Sequence, residues 1–223
     1  MVKGVIFDVD GTLVDSVDLH AQAWVEALRH FGYEVDFDAV RSQIGKGGDQ
    51  LMPVFVPPAD LERRQDEIDR YRHDLFARDY MDRVTGFPGV RSLIERLLAD
   101  GKRVALASSA KGDELQRYKR VAGIDDLIRT ETTSDDVDRS KPHPDIFEAA
   151  RRKLDLPARD AVVVGDTPWD ALAAGKAGIP IIGVLCGGFA EADLRKAGCV
   201  EIHRDPQDLL DRYQGSVIGK PGP

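Results

Sequence analysis

The stretch VIFDVDGTLVDS, residues 5–16, decides how this sequence is interpreted. Its first three apolar residues run directly into Asp8, and Asp10 follows two positions later, ahead of Gly11 and Thr12. Such an apolar run is typical of a buried parallel strand, so the two carboxylates would stand where that strand ends. Their charges repel each other, and removing either from water costs free energy. The pair therefore predicts a partner at this end of the strand that offsets the cost.

Three further apolar runs, at 103–107, 161–164 and 180–185, have the same character. Amphipathic helical patterns precede the first of these runs and separate all three. Strands that alternate with helices in this way are typical of βαβ units. The sequence therefore predicts an α/β fold with a doubly wound, mainly parallel sheet.

Residues 16–84 interrupt this alternation, because they contain long helical patterns and no convincing strand. We interpret them as a helical cap inserted into a catalytic core made of residues 1–15 and 85–213. The alternative is that the segment pads one face of a single domain. Residues 214–223 are rich in glycine and proline and are predicted to be a flexible tail.

Composition and charge argue against several classes of protein. The chain has 223 residues, a formal net charge of −8 and 42% hydrophobic residues, as expected for a globular protein without nucleic-acid partners. The longest uncharged stretch, 179–190, is too short to span a bilayer, and no basic-then-apolar leader is visible. Two cysteines, Cys186 and Cys199, are too few for a disulfide framework. We expect a cytoplasmic protein with no membrane partner and free thiols.

Residues with chemistry follow three of the predicted strands. Asp8, Ser108 and Asp166 each stand at or just after a strand end, where ligands bind in open α/β sheets. Lys141, in the segment SKPHPD ahead of a helix, can reach the same volume. Taken alone, Ser108 is better interpreted as a helix N-cap and Lys141 as a surface charge.

Four motifs in a fixed order give the sequence a family resemblance. The segments DVDGTLVDS, ASS, KPHPD and GDTPWD resemble those of the haloacid dehalogenase superfamily, and together they span most of the chain. The helical insert is similar to that of its helical-cap subgroup, which includes phosphoglycolate phosphatase and beta-phosphoglucomutase. The resemblance implies a Rossmann-like core and phosphoryl transfer through an aspartyl-phosphate with Mg²⁺. It also implies a small phosphorylated metabolite as the substrate.

The resemblance also assigns roles to residues. It makes Asp8 the nucleophile and a metal ligand, and Asp10 the general acid/base, with a backbone carbonyl on the metal. Asp166 would be a further metal ligand, while Ser108 and Lys141 would bind the phosphate. Mg²⁺ prefers oxygen ligands, so it is the partner that would offset the repulsion between carboxylates.

Four more residues have two interpretations each. Thr12 would bond either to the phosphate or to its own loop. Asp170 would orient metal-bound water or only favour the helix dipole. In the insert, Lys46 would contact an anionic substrate or lie in a solvated loop, and His20 would contact substrate or be satisfied within its helix.

The fourth motif favours one activity within the family. It contains Gly165 before Asp166, whereas mutases of the beta-phosphoglucomutase type have Glu-Asp there. Asp10 argues against the metal-free dehalogenases, which lack it. We therefore predict a Mg²⁺-dependent phosphatase that hydrolyses a small-metabolite phosphomonoester. A phosphosugar mutase and a non-catalytic ligand-binding relative are the alternatives, and neither the substrate nor the oligomeric state follows from the sequence.

Overall fold

The computed structural model describes residues 1–220. The strands in this range are β1 Gly4–Phe7, β2 Val14–Asp15, β3 Thr85–Gly86, β4 Arg103–Ala107, β5 Glu131–Thr132, β6 Ala161–Gly165, β7 Ile181–Val184 and β8 Glu201–His203. The α-helices are α1 Val17–His30, α2 Phe37–Arg41, α3 Gly48–Phe55, α4 Pro58–Asp79, α5 Val90–Ala99, α6 Gly112–Val121, α7 Asp145–Lys153, α8 Pro168–Lys176, α9 Glu191–Ala197 and α10 Pro206–Asp211.

Six of these strands form one parallel sheet in the order β5-β4-β1-β6-β7-β8. β1 lies at its centre, where Phe7 pairs with Leu106 on one side and Val164 on the other. The four apolar runs of the sequence correspond to β1, β4, β6 and β7. β5 and β8 have only two and three residues, too few for a detectable hydrophobic period. The predicted α/β class with a mainly parallel sheet is confirmed.

Both faces of the sheet are covered, which explains why its strands are apolar without alternation. On one face, Val5 and Phe7 of β1 pack in a cluster with residues of α5, α6 and α10. On the other face, Ile6 packs in a second cluster with residues of α7, α8 and α9. The sheet is therefore wound on both sides, as the βαβ pattern predicts.

Helices α1 to α4 occupy residues 17–79 and build a third apolar cluster around Trp24, Leu28 and Ile68. The chain leaves and re-enters the sheet region through a short antiparallel ribbon, in which Val14 of β2 pairs with Gly86 of β3. The two crossings therefore lie side by side, next to the end of β1. That the helical segment acts as a separate cap remains a prediction.

The predicted flexible tail differs from what the structure describes. Within residues 214–220, Ser216 and Ile218 are fully buried, and Ile218 packs in the same cluster as Phe7. Val217 N also donates a hydrogen bond to Glu201 Oε2 at 2.8 Å. This part packs on the core because its apolar residues fit there, whereas Gly and Pro content alone predicted fraying; residues 221–223 lie outside the described range. No helix in residues 1–220 is both long and apolar enough to cross a membrane.

Candidate active site

The ends of β1 and β6 bring three acidic side chains together. Asp8 follows β1, and its backbone N donates to Val164 O of β6 at 2.9 Å. Asp166 follows β6, and Asp170 lies one turn further on, in α8. One carboxylate oxygen from each of the three aspartates lies within 4.8 Å of the others. The neighbouring parallel strands thus join residues more than 150 positions apart in sequence.

These three carboxylates are almost completely buried. Burial, together with the nearby Asp170 and Asp10 charges, raises the pKa of Asp8 to about 7, against the lowering effect of Lys141. Burial and the charges of Asp8 and Asp170 also raise the pKa of Asp166 well above its ordinary value. The protein's own positive groups therefore balance only part of the negative charge of these three buried carboxylates.

The donor set fits a hard divalent cation such as Mg²⁺. Asp166 Oδ2 and Asp170 Oδ1 are buried and have no hydrogen-bond partner within residues 1–220. Converging carboxylate oxygens are the ligands such cations prefer, and here Lys141, 2.8 Å from Asp170 Oδ1, is the ammonium that faces them. Gly11 and Gly187 let the backbone approach this point, because a Cβ at either position would clash with Asp166 Oδ2.

Lys141 balances part of the negative charge of the three aspartates. It is 1% exposed, donates a hydrogen bond to Asp8, and its Nζ lies 2.8 Å from Asp170 Oδ1 without hydrogen-bond alignment. Burial alone would lower the pKa of Lys141, but Asp170 and Asp8 outweigh it and hold that pKa above its ordinary value. The interpretation of Lys141 as a surface charge is wrong.

Asp10 lies beside this cluster and has its own partners. Ser16 Oγ donates to Asp10 Oδ1 at 2.6 Å, and His20 Nε2 lies 2.9 Å from the same oxygen. Burial opposes ionisation of Asp10, but His20 and Ser16 hold its pKa below the ordinary value. His20 is also satisfied within the protein, since it stacks on Phe76 at 3.9 Å and lies 2.8 Å from the Tyr118 hydroxyl.

The hydroxyl residues of the motifs differ in what they contact. Thr12 Oγ1 donates to Asp166 Oδ1 at 2.9 Å and lies 3.4 Å from Asp8 Oδ2, so it bridges two carboxylates. Ser108 is buried, and its Oγ accepts from Ala110 N at 3.1 Å in a local turn. It does not cap a helix, because α6 begins at Gly112 with Lys111 at its N-cap. Ser109 lines the adjacent cavity, and its Oγ has no partner within residues 1–220.

Asp170 caps its own helix and also faces the acidic cluster. Its Oδ2 accepts from Thr167 N at 3.1 Å and from Thr167 Oγ1 at 2.6 Å, which closes a capping box at the start of α8. Asp170 also supplies a carboxylate oxygen to the three-aspartate cluster, and its Oδ1 lies 2.8 Å from Lys141 Nζ. One side chain therefore begins the helix and completes the acidic site.

A cavity of about 50 Å³ lies between the strand ends and the helical segment. Its wall includes Asp8, Asp10 and Lys141 from the motifs, His20 from α1, and residues 44–48 from the loop before α3. The sequence did not indicate that Trp24, Arg72, Ser109, Ala110 and Glu114 also line it. Arg72 had a detectable signal, because it lies four residues from both Ile68 and Phe76 on the apolar stripe of α4.

The loop at 44–48 contacts the sheet side directly. Lys46 Nζ lies 4.0 Å from the centre of the Trp169 ring and donates to Gln43 Oε1 at 2.6 Å. Burial lowers the pKa of Lys46. Trp169 Nε1 in turn donates to Ser42 O at 3.2 Å. Lys46 therefore lines the cavity and also joins the helical segment to α8.

Known proteins resemble the chain over most of its length. A family model described as haloacid dehalogenase-like hydrolase matches residues 5–184. The chain is 34% identical over 191 residues to a phosphoglycolate phosphatase of Yersinia pestis, covering 83% of this chain and 82% of the relative. A solved hydrolase from Pseudomonas syringae has a TM-score of 0.87 and 29% identity, covering 95% of this chain and 98% of that one. CbbY from Rhodobacter sphaeroides in complex with phosphate has a TM-score of 0.76 and 26% identity, covering 94% and 96%.

Proposed function

The chain belongs to the haloacid dehalogenase-like hydrolase family, and we propose that it is a Mg²⁺-dependent phosphatase. In this proposal it hydrolyses a small-metabolite phosphomonoester through an aspartyl-phosphate on Asp8. The position of Asp8 is the observation that supports this most, because it lines the cavity and belongs to the three-aspartate cluster. Asp8 would then be both the nucleophile and a ligand of the metal.

The metal would be held by side-chain oxygens of Asp8 and Asp166, by the backbone carbonyl of Asp10, and by Asp170 directly or through water. The unpartnered Oδ2 of Asp166 supports this assignment. When bound, Mg²⁺ neutralises acidic charge and makes the site accessible to a phosphate dianion.

The protein groups can then perform both halves of the hydrolysis. One Asp8 oxygen attacks phosphorus, and the bond to the leaving alkoxide breaks as Asp10 gives that alkoxide a proton. Because the pKa of Asp10 is lowered in the substrate-free protein, Asp10 takes up this proton when substrate binds. Water next attacks the phosphoryl group, Asp10 accepts the proton of that water, and Asp8 leaves as a carboxylate. We propose that Lys141 and Ser108 bind the oxygens of the phosphoryl group, because its negative charge spreads over the equatorial oxygens during transfer.

Gly165 favours hydrolysis over a mutase reaction. A Cβ at this position would lie 2.8 Å from the Cβ and Cγ of Asp170. The glutamate that the resemblance assigns to mutases at this place would therefore displace Asp170 from the acidic cluster. A purely ligand-binding role is disfavoured because the proposed acid/base Asp10 is held in position by Ser16 and His20.

Relatives suggest which substrate to test first. Several similar proteins, including those from Yersinia pestis and Rhodobacter capsulatus, are named phosphoglycolate phosphatases. We therefore propose a phosphorylated organic acid or sugar of that size, with phosphoglycolate as the first compound of the panel.

Phosphate release from a metabolite panel tests the proposal. We expect turnover with Mg²⁺, none with EDTA, and a loss of at least about a thousandfold for Asp8→Asn, as for other covalent nucleophiles. Asp15→Asn is the matched control, since Asp15 is exposed and lies outside the cavity. Undiminished turnover by Asp8→Asn would end the assignment of the nucleophile.

A further inference from the structure

Arg72 is a charged residue on the buried side of a helix. It lies one turn from Ile68 and one turn from Phe76 on α4, and both of these are fully buried. The Arg72 side chain itself is only 11% exposed. Arginine is rarely buried without a partner, because desolvating a charge is costly. A residue of this kind on the apolar stripe requires a specific explanation.

The guanidinium of Arg72 has no hydrogen-bond acceptor among residues 1–220. Its Nε is buried without a partner. The closest carboxylate oxygens are Glu114 Oε2, 3.9 Å from Nη1, and Asp69 Oδ1, 4.0 Å from Nη2. Both separations exceed the length of an N–H···O hydrogen bond. A fork of donors therefore lines the cavity without being used.

Both carboxylates near Arg72 are shared with other groups. Asp69 lies 3.4 Å from Lys111 Nζ. Glu114 accepts from the Tyr118 hydroxyl at 2.9 Å and lies 3.5 Å from His73 Nδ1 and 3.7 Å from His20 Nε2. Their charge is thus divided, and the Arg72 charge is only partly balanced.

The neighbouring helix supplies a second wall for a ligand. Trp24 of α1 lies under Arg72, with its ring centre 5.2 Å from the guanidinium carbon, while His20, one turn before Trp24, stacks on Phe76. One helical turn, about 6 Å, therefore separates the level of Arg72 from that of His20. Because His20 contacts Asp10, Arg72 stands a short molecule's length from the site of phosphoryl transfer.

We propose that Arg72 determines specificity by binding a second anionic group, a carboxylate or a second phosphate, on the phosphomonoester that Asp8 attacks. The proposal rests on the function proposed above and adds the chemical class of its substrate. A guanidinium presents paired donors that match either anion, and the indole face of Trp24 keeps its charge in place. The separation of about one helical turn between Arg72 and His20 favours a short carbon chain and therefore the smaller carboxylate.

Three phosphomonoesters separate these chemistries: phosphoglycolate carries a carboxylate, ethane-1,2-diol bisphosphate carries a second phosphate, and ethyl phosphate carries neither. We expect Arg72→Gln to lower kcat/KM for phosphoglycolate by about 10- to 100-fold, mainly through KM, as loss of a charged hydrogen bond does. For ethyl phosphate the change is at most about threefold. Arg72→Lys, which keeps the charge but loses the fork, gives an intermediate loss, and it remains informative if Arg72→Gln does not fold.

The control is Arg70→Gln, because Arg70 is exposed on the same helix and lies outside the cavity. We expect Arg70→Gln to leave kcat/KM unchanged for all three substrates. An equal loss of kcat/KM on all three substrates for the Arg72 variants would overturn the proposal. A loss for the bisphosphate with none for phosphoglycolate would overturn the preference for a carboxylate. Calorimetric binding to the Asp8→Asn variant tests the role of Arg72 without turnover. We expect phosphoglycolate to bind more tightly than ethyl phosphate, and this difference to disappear when Arg72→Gln is added. That result supports the role of Arg72 even if the protein proves not to be a phosphatase, whereas equal binding of the two compounds overturns it.

Discussion

Lys141 shows at the scale of single residues how the acidic site is held together. Its ammonium group is the cation that directly contacts both Asp8 and Asp170 within residues 1–220. The cost of burying these charges is offset only while the opposite charges are together, so removing one partner leaves the others uncompensated.

We therefore expect Lys141→Met to lower the free energy of unfolding by about 3–5 kcal/mol, the range for a broken buried ion pair. Methionine has a similar length and removes only the charge and its hydrogen bonds. Urea unfolding in EDTA measures the change without metal binding. Lys196→Met is the control, since Lys196 is exposed and has no ion pair among the described residues; a loss no larger than in this control would contradict the role of Lys141.

The sequence located the site residues that stand at strand ends. It did not locate those that depend on which face of a helix points toward the cavity. Asp8 and Asp166 were found because each stands at the end of a predicted strand, Asp8 directly after its apolar run and Asp166 after Gly165. Arg72 and Glu114 lie in densely charged helices, where a charge normally faces solvent. The apolar stripe of α4 marked the position of Arg72, but the packing of α4 against α1 and α6 was needed to show that both side chains face the cavity.

At the scale of elements, the loop between α2 and α3 is joined to the first turn of α8. Trp169 makes this connection through its hydrogen bond to Ser42 O and its contact with Lys46. Because α8 begins with the Thr167–Asp170 capping box, the same turn holds the acidic cluster and the helical segment.

Replacing Trp169 with Phe should loosen this connection without disturbing the core. The lost hydrogen bond contributes about 1 kcal/mol, so we expect amide exchange in residues 42–48 to accelerate roughly fivefold. Hydrogen-exchange mass spectrometry measures it, with Leu172→Ala, an exposed change in α8, as the control. Unchanged exchange in the loop would show that other contacts hold it.

The elements themselves were predictable where they are long and regular. β1, β4, β6 and β7 are four or five residues of buried apolar chain. The two-residue ribbon of β2 and β3 has no sequence signal, because its pairing depends on the helical segment returning to its starting point. The described end of the chain was misjudged for a similar reason: Ile218 becomes buried only through a surface that distant residues create.

At the scale of the whole molecule, the acidic site depends on chain segments that only the complete fold unites. Asp8 comes from the first strand, while Asp166 and Asp170 come from the last third of the sequence. Their mutual repulsion opposes folding, and a cation that binds only the folded state reverses this effect.

Mg²⁺ should therefore raise the melting temperature. A concentration of 100 times the dissociation constant stabilises the folded state by about 2.7 kcal/mol, and EDTA should reverse the shift. Asp166→Asn removes one repelling charge and one ligand, so we expect its melting temperature without metal to equal or exceed that of the parent, while its response to Mg²⁺ is largely lost. Calorimetric melts at constant ionic strength measure both effects. Asp138→Asn, an exposed change in a separate acidic cluster, should keep the full response; an equal loss in the two variants would mean that Mg²⁺ acts on surface charge in general and not at the three buried aspartates.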